Sequence, residues 1–403
     1  MSHLSWRSRC CVAIAATVVA LTGCAGDGGT DLAAERDVSQ PIELATTSTA
    51  TAASIGTVVT DGDVAAAEFT RSLFARLPAG DPGCTVAVGR GGKVVFAEAY
   101  GAARLDPLEP MTVDTVVDIG SVSKQFTATA ILMLAERGKV DLDAPLSTYL
   151  PGLPAWGSRA TIAQLIHHQS GIPDYIDLLL DRGFTETGSS PTIADALAAL
   201  GDVVDLRFAP GTSWEYSNSN YFLLSQVVQA VTGDDLPMFL TTEVFAPLGL
   251  DMVMDPMAAI DGKAVSYKRV AGQWQIADGH WEPTIGAGSI QTTPSQLVEW
   301  AAQYWEPTIG ASTINAERFD TAVDTHQGGV FDAYGAGMYE TDMGSDIGRV
   351  ILHNGAWAGF GTSFYVAPAH RVALAVSCNS PTAGGRLGRT LERDLLTAWI
   401  GSN

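Results

Sequence analysis

Ser121 and Lys124 stand three residues apart in segment 118–124, which reads DIGSVSK. On a helix, side chains at this spacing share one face and come within contact distance. A partly dry site lowers the pKa of a lysine, so its amine can take the proton of a serine nucleophile. The start of a helix also offers free N–H groups to a developing oxyanion. The alternative interpretation of Ser121 is a helix N-cap.

The second candidate motif is Tyr216-x-Asn218, in segment 210–221, PGTSWEYSNSNY. A phenol near an ammonium has a lowered pKa and can act as general acid or base, which is the chemistry that Tyr216 would offer. Asn218 is expected to orient the lysine and to hydrogen-bond a substrate amide. The alternative is a helix start, with Tyr216 as a packing residue.

The third candidate motif is His353-x-Gly355, at the end of an apolar strand. A strand edge without bulky side chains lets a substrate lie alongside it. We expect the N–H of Ala356 to be the second oxyanion donor. The same spacing recurs at 326–328, in a polar and glycine-rich stretch, so the spacing alone is not specific. The alternative for His353 is a buried core histidine.

The elements that must position these residues follow from the apolar pattern. Helices are predicted at 121–137, 161–169, 193–200 and 218–232, and a further one begins after Asp63. Alternating residues at 85–88 and 94–97 flank two glycines and predict a β-hairpin. Short strands return from about 267, the last at 349–353, 362–366 and 371–378, before a helix near 384–400. We therefore predict an α/β fold of the α+β type, in which a mixed sheet domain is interrupted by an inserted all-helical domain, about 121–255.

The N-terminus has the pattern of an export signal. Arg7 and Arg9 precede a short apolar run at 12–21, followed by LTGC at 21–24, which resembles a bacterial lipobox. Cys24 would become an acylated first residue, with an ordinary cleaved signal as the alternative. We predict a signal peptide over 1–23, a flexible tether over 24–60 and a catalytic domain over 61–403. The protein would then be exported and lipid-anchored at the outer face of the cell membrane.

Composition excludes several classes of function. The 403 residues are 46% hydrophobic and carry a formal charge of −21, which does not fit a nucleic-acid-binding protein. It also does not fit electrostatic attachment to anionic lipid, so membrane contact is expected only through the lipid anchor. No cofactor fingerprint is found, and the adjacent His167 and His168 lack further ligands for a metal. The oligomeric state stays open.

The three motifs in this order resemble those of the class C β-lactamase and penicillin-binding-protein superfamily of serine hydrolases. Segments 161–172 and 286–293 add to the likeness, which runs from about 65 to 400. The resemblance implies a β-lactamase/transpeptidase-like fold, in which helices flank an antiparallel sheet. It also implies an acyl-enzyme mechanism on a small-molecule or peptide substrate. Ser121 would attack a carbonyl, Lys124 and Tyr216 would relay its proton, and the N–H groups of Ser121 and Ala356 would hold the oxyanion.

The third motif departs from the family pattern. β-Lactamases of this class carry Lys-Thr-Gly where this chain has His353-Asn354-Gly355. A histidine is mostly neutral at pH 7 and anchors the carboxylate of a β-lactam less well than a lysine. We therefore expect an esterase, D-aminopeptidase or D,D-carboxypeptidase type. The alternatives are a β-lactamase and a non-catalytic lipoprotein that binds cell-wall peptide or β-lactam. Tyr175 and Trp357 are predicted to line the cleft.

The family resemblance also implies a disulfide. In that fold the strand holding Cys84 lies antiparallel to the last strand, which ends at Cys378. A Cys84–Cys378 bond would contribute about 2–4 kcal/mol to the free energy of unfolding. Two buried free thiols are the alternative.

Overall fold

The computed structural model describes residues 61–277, 279–310, 313–381 and 388–401. The predicted signal peptide, Cys24 and the whole of the predicted tether lie outside the described residues. Within the described ranges, no helix combines the length and the apolar character needed to cross a bilayer.

An eight-stranded antiparallel sheet forms the centre of the described chain, and smaller sheets lie around it. The strands are β1 Cys84–Arg90, β2 Lys93–Tyr100, β3 Ala102–Leu105, β4 Leu108–Pro110, β5 Val117–Asp118, β6 Val253–Met254, β7 Tyr267–Val270, β8 Gln273–Ile276, β9 Ile290–Thr292, β10 Val323–Asp324, β11 Ala333–Tyr334, β12 Tyr339–Asp342, β13 Arg349–Trp357, β14 Phe360–Ala367 and β15 Val372–Cys378. The strand order of the large sheet is β10-β11-β12-β13-β14-β15-β1-β2, and the smaller sheets are β5-β9-β6, β3-β4 and β7-β8.

Helices cover the sheet and fill the segment between β5 and β6. A π-helical turn, Thr241–Phe245, joins two of them. The helices are α1 Val64–Phe74, α2 Lys124–Glu136, α3 Ile162–Ile166, α4 Tyr175–Asp181, α5 Ile193–Gly201, α6 Asn218–Thr232, α7 Leu236–Leu240, α8 Ala246–Leu248, α9 Pro294–Trp300, α10 Thr313–Asp320 and α11 Gly388–Gly401.

Both faces of the central strands are covered. Every residue of β15 is buried, and so is β1 except for its last residue. On one face, Gly89 of β1 lies against Val298 of α9. On the other, Phe96 of β2 contacts Trp399 of α11, whose indole donates to Thr70 of α1. Strands buried on both faces read as continuous apolar runs, which is the pattern of β1 and β15 in the sequence.

The predicted mixed fold is confirmed, and some of its boundaries need correction. The helix predicted at 218–232 has these bounds and ends where Gly233 adopts a left-handed conformation. The helix predicted at 161–169 is shorter, since it ends at Ile166 and His168 has a positive φ. The strand predicted at 349–353 continues to Trp357, so the prediction that His353 ends its strand is wrong. The short helices α4, α7 and α9 were not predicted.

Cys84 and Cys378 lie directly opposite each other in the antiparallel pairing of β1 with β15. Their sulfur atoms are joined in a disulfide, 2.04 Å apart, across a sequence separation of 294 residues. The bond links β1, the second strand from one edge of the sheet, to its neighbour β15, the last strand along the chain.

Candidate active site

Ser121 lies in a 3₁₀ turn, Gly120–Ser123, that leads directly into α2. The carboxylate of Asp118 holds this turn: Oδ1 accepts the N–H of Gly120 at 2.7 Å, and Oδ2 accepts from Nε2 of Gln291 at 2.9 Å. The N-cap residue of α2 is Ser123, so the alternative interpretation of Ser121 as the N-cap is wrong. The continuous helical path from Ser121 to Lys124 still puts both side chains on one face.

Strand β13 approaches this turn so closely that two glycines are required. A Cβ on Gly355 would lie 1.9 Å from the carbonyl oxygen of Ile119, and one on Gly120 would lie 2.7 Å from the nitrogen of Ala356. Gly120 also has a φ of +51°, a conformation that favours glycine. The close approach brings Ala356 and Ser121 to one cavity.

Lys124 is fully buried and saturated with hydrogen bonds. Its Nζ contacts Oγ of Ser121 at 3.0 Å, Oδ1 of Asn218 at 2.8 Å and the carbonyl oxygen of Ala287 at 2.7 Å. Burial lowers the pKa of Lys124 from 10.5 to about 7, although the charge of Asp174 acts in the opposite direction. A large fraction of the amine is therefore neutral near pH 7 and can accept a proton from Ser121.

Tyr216 contacts Ser121 from a second direction. Its hydroxyl donates to Oγ of Ser121 at 2.8 Å, and its ring centroid lies 4.9 Å from Nζ of Lys124. Burial raises the pKa of Tyr216 well above 10, with only partial opposition from the hydrogen bond to Ser121. The sequence-based expectation of a lowered pKa is wrong, because the cost of desolvating a phenolate dominates here. Tyr216 therefore acts as a neutral donor to the serine oxygen.

Asn218 is held by a residue that the sequence analysis missed. Oδ2 of Asp174 accepts from both the backbone N–H and Nδ2 of Asn218, each at 2.8 Å. Its Oδ1 caps α4 by accepting the N–H of Ile176 at 3.0 Å. This pairing orients the amide of Asn218 so that its oxygen faces Lys124. The signal in the sequence was Pro173-Asp174 before an apolar run, which is typical of a helix N-cap.

The side chain of His353 does not line the Ser121 cavity, although it was expected to bind substrate there. Its side chain is 2% exposed and packs beside the rings of Tyr339 and Tyr216, at 5.2 and 6.3 Å between centroids. Burial, and then the charge of Lys124, lower the pKa of His353 to about 3, so the imidazole is neutral. Because side chains alternate along a strand, His353 shares the inward face with Gly355. The predicted contact of its side chain with substrate is corrected to a packing contact with Tyr216.

The cavity at Ser121 has a volume of about 60 Å³. Both residues predicted to line the cleft, Tyr175 and Trp357, contribute to its wall, together with Asn218 and Ala356. Tyr175 is fully buried, and its hydroxyl makes no hydrogen bond within the described part of the chain. The indole of Trp357 donates to the carbonyl oxygen of Gly279 at 3.0 Å.

Three other histidines, His167, His168 and His326, do not line the Ser121 cavity. His167 bridges the carbonyl oxygen of Ala163 and Oγ1 of Thr321, at 2.8 and 2.9 Å. The ring of His168 lies 4.4 Å from that of Tyr216, and burial lowers its pKa well below 6.5. His326, which shares the His-x-Gly spacing, is exposed beside Asp324.

This geometry brings Ser121 into contact with Lys124 and Tyr216 beside a small cavity that Ala356 also lines. The family model described as Beta-lactamase matches residues 70–398. The chain belongs to the beta-lactamase family. The family predicted from the motifs is thereby confirmed.

Relatives show how wide this family is. A penicillin-binding protein of Bacillus subtilis (strain 168) is 26% identical over 307 residues, 72% of this chain and 66% of the relative. A D-aminopeptidase of Brucella anthropi is 30% identical over 284 residues, 69% of this chain and 52% of the relative. The chain thus spans between about half and two thirds of the length of such curated relatives.

Among solved structures, a D-amino acid amidase from Ochrobactrum anthropi SV3 matches with a TM-score of 0.72 and 22% identity, over 85% of this chain and 98% of that one. The penicillin-binding protein homologue from Pyrococcus abyssi, described as octameric, matches with a TM-score of 0.67 and 22% identity, over 78% of this chain and 73% of that one. At this identity both structures support the fold, an antiparallel sheet flanked by helices.

Proposed function

We propose that this beta-lactamase-family protein is a serine hydrolase that forms an acyl-enzyme at Ser121 and cleaves the amide or ester of a small D-amino-acid residue. The observation that carries the proposal is the position of Oγ of Ser121, 3.0 Å from Nζ of Lys124 and 2.8 Å from the hydroxyl of Tyr216. The two contacts give the serine a proton acceptor and a proton donor at once.

In the proposed acylation, neutral Lys124 takes the proton of Ser121 while Oγ attacks the carbonyl carbon. The N–H groups of Ser121 and Ala356 stabilise the oxyanion. Collapse breaks the bond to the leaving group, which takes a proton from the side of Lys124 and Tyr216 and departs as an amine or alcohol. Water, activated by the same amine, then adds to the acyl-enzyme and releases the acid. Asn218 holds Lys124 in place throughout.

Two observations support a small D-residue as the acyl part. The Ser121 cavity of about 60 Å³ has room for a carbonyl and a small side chain, and for little more. Curated relatives are named D-aminopeptidases and a structural neighbour is a D-amino acid amidase. D-Aminopeptidase, D,D-carboxypeptidase and esterase activities share this acyl-transfer chemistry, so the leaving group decides among them.

β-Lactam hydrolysis receives less support from this site. Where class C β-lactamases carry the lysine of Lys-Thr-Gly, this chain has His353, which is buried and neutral. A β-lactam carboxylate would therefore lack a cation at this position. We expect nitrocefin turnover well below the turnover of D-alanine derivatives.

The proposal is tested with a fluorophosphonate probe and with p-nitroanilides of D- and L-alanine, on the wild type and on Ser121→Ala. We expect labelling and D-selective hydrolysis in the wild type, and neither in the variant. Equal labelling of both proteins would refute Ser121 as nucleophile, and faster hydrolysis of the L-compound would refute the D-residue. Stoichiometric labelling by a penicillin without turnover of any compound would instead favour a binding lipoprotein.

We further propose that the protein is exported and lipid-anchored through Cys24, because segment 21–24 reads LTGC after a short apolar run. The test compares the full chain with Cys24→Ala after membrane fractionation and intact-mass measurement. An acylated membrane form that disappears in the variant is expected. A mature chain of unmodified mass in both proteins would contradict the anchor.

A further inference from the structure

A second and larger cavity lies beside the Ser121 cavity. Its volume is about 480 Å³, against about 60 Å³ around Ser121. Trp357 lines both cavities, so one residue forms a wall that they share. A volume of several hundred Å³ is typical of pockets that bind small organic ligands. The reacting groups therefore occupy a narrow chamber next to a space that can hold a further part of the substrate.

Charged side chains from three elements reach the larger cavity: Arg104 on β3, Asp118 on β5 and Lys263 in the loop after β6. Arg104 pairs with Glu109 at the exposed rim, at 3.2 Å. Asp118 already accepts two hydrogen bonds from the protein. Lys263 is partly buried, and no ion pair within 4 Å is found for it in the ranges that the structure describes. The charge of Lys263 acts on the buried Asp118, but no carboxylate of the described residues contacts its ammonium, so a ligand anion can do so.

The rest of the wall is largely apolar. Met257 and Ile276 are each 60% exposed, which is unusual for large apolar side chains, and Ile260 and Phe360 also line the cavity. Such a surface is complementary to an aliphatic chain. The combination of an apolar wall with an ammonium that no described carboxylate contacts favours a ligand that has an apolar stem and a negative end.

We propose that this cavity binds an arm of the substrate that has an aliphatic stem and ends in a carboxylate, which pairs with Lys263. The proposal rests on the proposed function for the identity of the bond that is cleaved. Binding of the arm itself requires no turnover, so the two can fail separately. The chain as a whole carries a formal charge of −21, which disfavours anion binding in general, so binding of an anion at this cavity depends on the local charge of Lys263.

Two matched pairs of compounds test the proposal without assuming which side of the scissile bond carries the arm. One pair is N-glutaryl- and N-pentanoyl-D-alanine p-nitroanilide, which differ only in a terminal carboxylate or methyl group. The other is D-alanyl-6-aminohexanoate and D-alanyl-hexylamide, which differ in the same way on the leaving side. Binding is measured by calorimetry on Ser121→Ala, and kcat/KM on the protein with Ser121 intact.

In one of the pairs we expect the carboxylate to be favoured about tenfold, as for a hydrogen-bonded charge pair that stays partly hydrated. Lys263→Met should abolish the preference and Lys263→Arg should restore most of it. The control is Lys268→Met: this lysine lies on β7 beside Thr187, outside the cavity, and its loss should leave the preference unchanged. Thermal melting of each variant verifies that it is folded.

The absence of a carboxylate preference in both pairs, or a preference that survives in Lys263→Met, would overturn the proposal. If no compound is hydrolysed and the fluorophosphonate does not label Ser121, the proposed function fails. A carboxylate preference in calorimetry that depends on Lys263 would uphold the cavity assignment even then.

Discussion

Replacing Lys124 by methionine should make the free energy of unfolding less dependent on pH. In the folded protein the pKa of Lys124 is lowered from 10.5 to about 7, because burial disfavours the ammonium. Between these two pH values the unfolded chain binds a proton that the folded protein does not. Stability contributed by this group therefore rises as the pH rises from about 7 to about 10.5, and is lowest below pH 7.

The magnitude follows from the size of the shift. At about 1.4 kcal/mol for each pH unit between the two pKa values, a change from 10.5 to about 7 amounts to about 5 kcal/mol at most. The methionine side chain also leaves the oxygens of Asn218 and Ala287 without their donor, which costs about 1–3 kcal/mol each at every pH. The stability difference at a single pH mixes these effects, whereas the slope against pH isolates the titration of Lys124.

The assay is urea unfolding of both proteins at pH 7, 8, 9 and 10. The wild type should gain about 1–1.4 kcal/mol per pH unit relative to Lys124→Met, since other titrating groups cancel in the difference. In the wild type, fluorophosphonate labelling should rise with pH through about 7, because labelling needs the neutral amine. Parallel stability profiles of the two proteins, or a labelling rate that is flat between pH 6 and 8, would refute the reasoning.

Other perturbations test the supports of the site. Asp174→Asn removes the charge that raises the pKa of Lys124, so the ascending limb of the pH profile of kcat/KM should move to lower pH as activity falls about tenfold or more; an unmoved limb would contradict this. Gly355→Ala should slow fluorophosphonate labelling at least about 100-fold, because a Cβ at this position would collide with the backbone of the turn that holds Ser121. Gly361→Ala is the matched control: its Cβ would have open space around it, so this variant should match the wild type. Cys378→Ser should lower the free energy of unfolding by about 2–4 kcal/mol, and intact mass with and without reductant should show two thiols appearing in the wild type only after reduction.

Local pattern was enough to predict much of the fold. The helix 218–232 and the hairpin of β1 with β2 were found because a period and its stop signals lie within one segment. The order of strands in the large sheet could not be derived from pattern, since one of its pairings, that of β1 with β15, joins segments almost 300 residues apart. The pairing of β1 with β15 came instead from the family resemblance. The short helices α4 and α9 are stabilised by packing rather than by length, and few-residue apolar runs do not distinguish helix from loop.

For the candidate site, too, some features could be predicted from the local sequence and others could not. Spacing was sufficient to predict the contact of Ser121 with Lys124, because helix geometry places both side chains on one face. The position of Tyr216 at Ser121 came from the family resemblance. The state of Tyr216 was predicted wrongly, because its pKa depends on how deeply the surrounding chain buries it. Asp174 was missed because half of its role, holding Asn218, involves a residue 44 positions away. The local sequence indicates only the other half of the role of Asp174, which is to cap α4.

The position of β15 also has a consequence for the time course of synthesis. This strand comes last along the sheet-forming chain, yet β1 needs it as a neighbour, across a separation of 294 residues. At about 5–20 residues per second, a ribosome needs on the order of tens of seconds to make the intervening chain. During that interval the hairpin of β1 and β2 presents an apolar edge with no strand to pair with, which is the kind of edge that aggregates. A nascent chain of this fold therefore depends on being kept unfolded or shielded until Val372–Cys378 has been made.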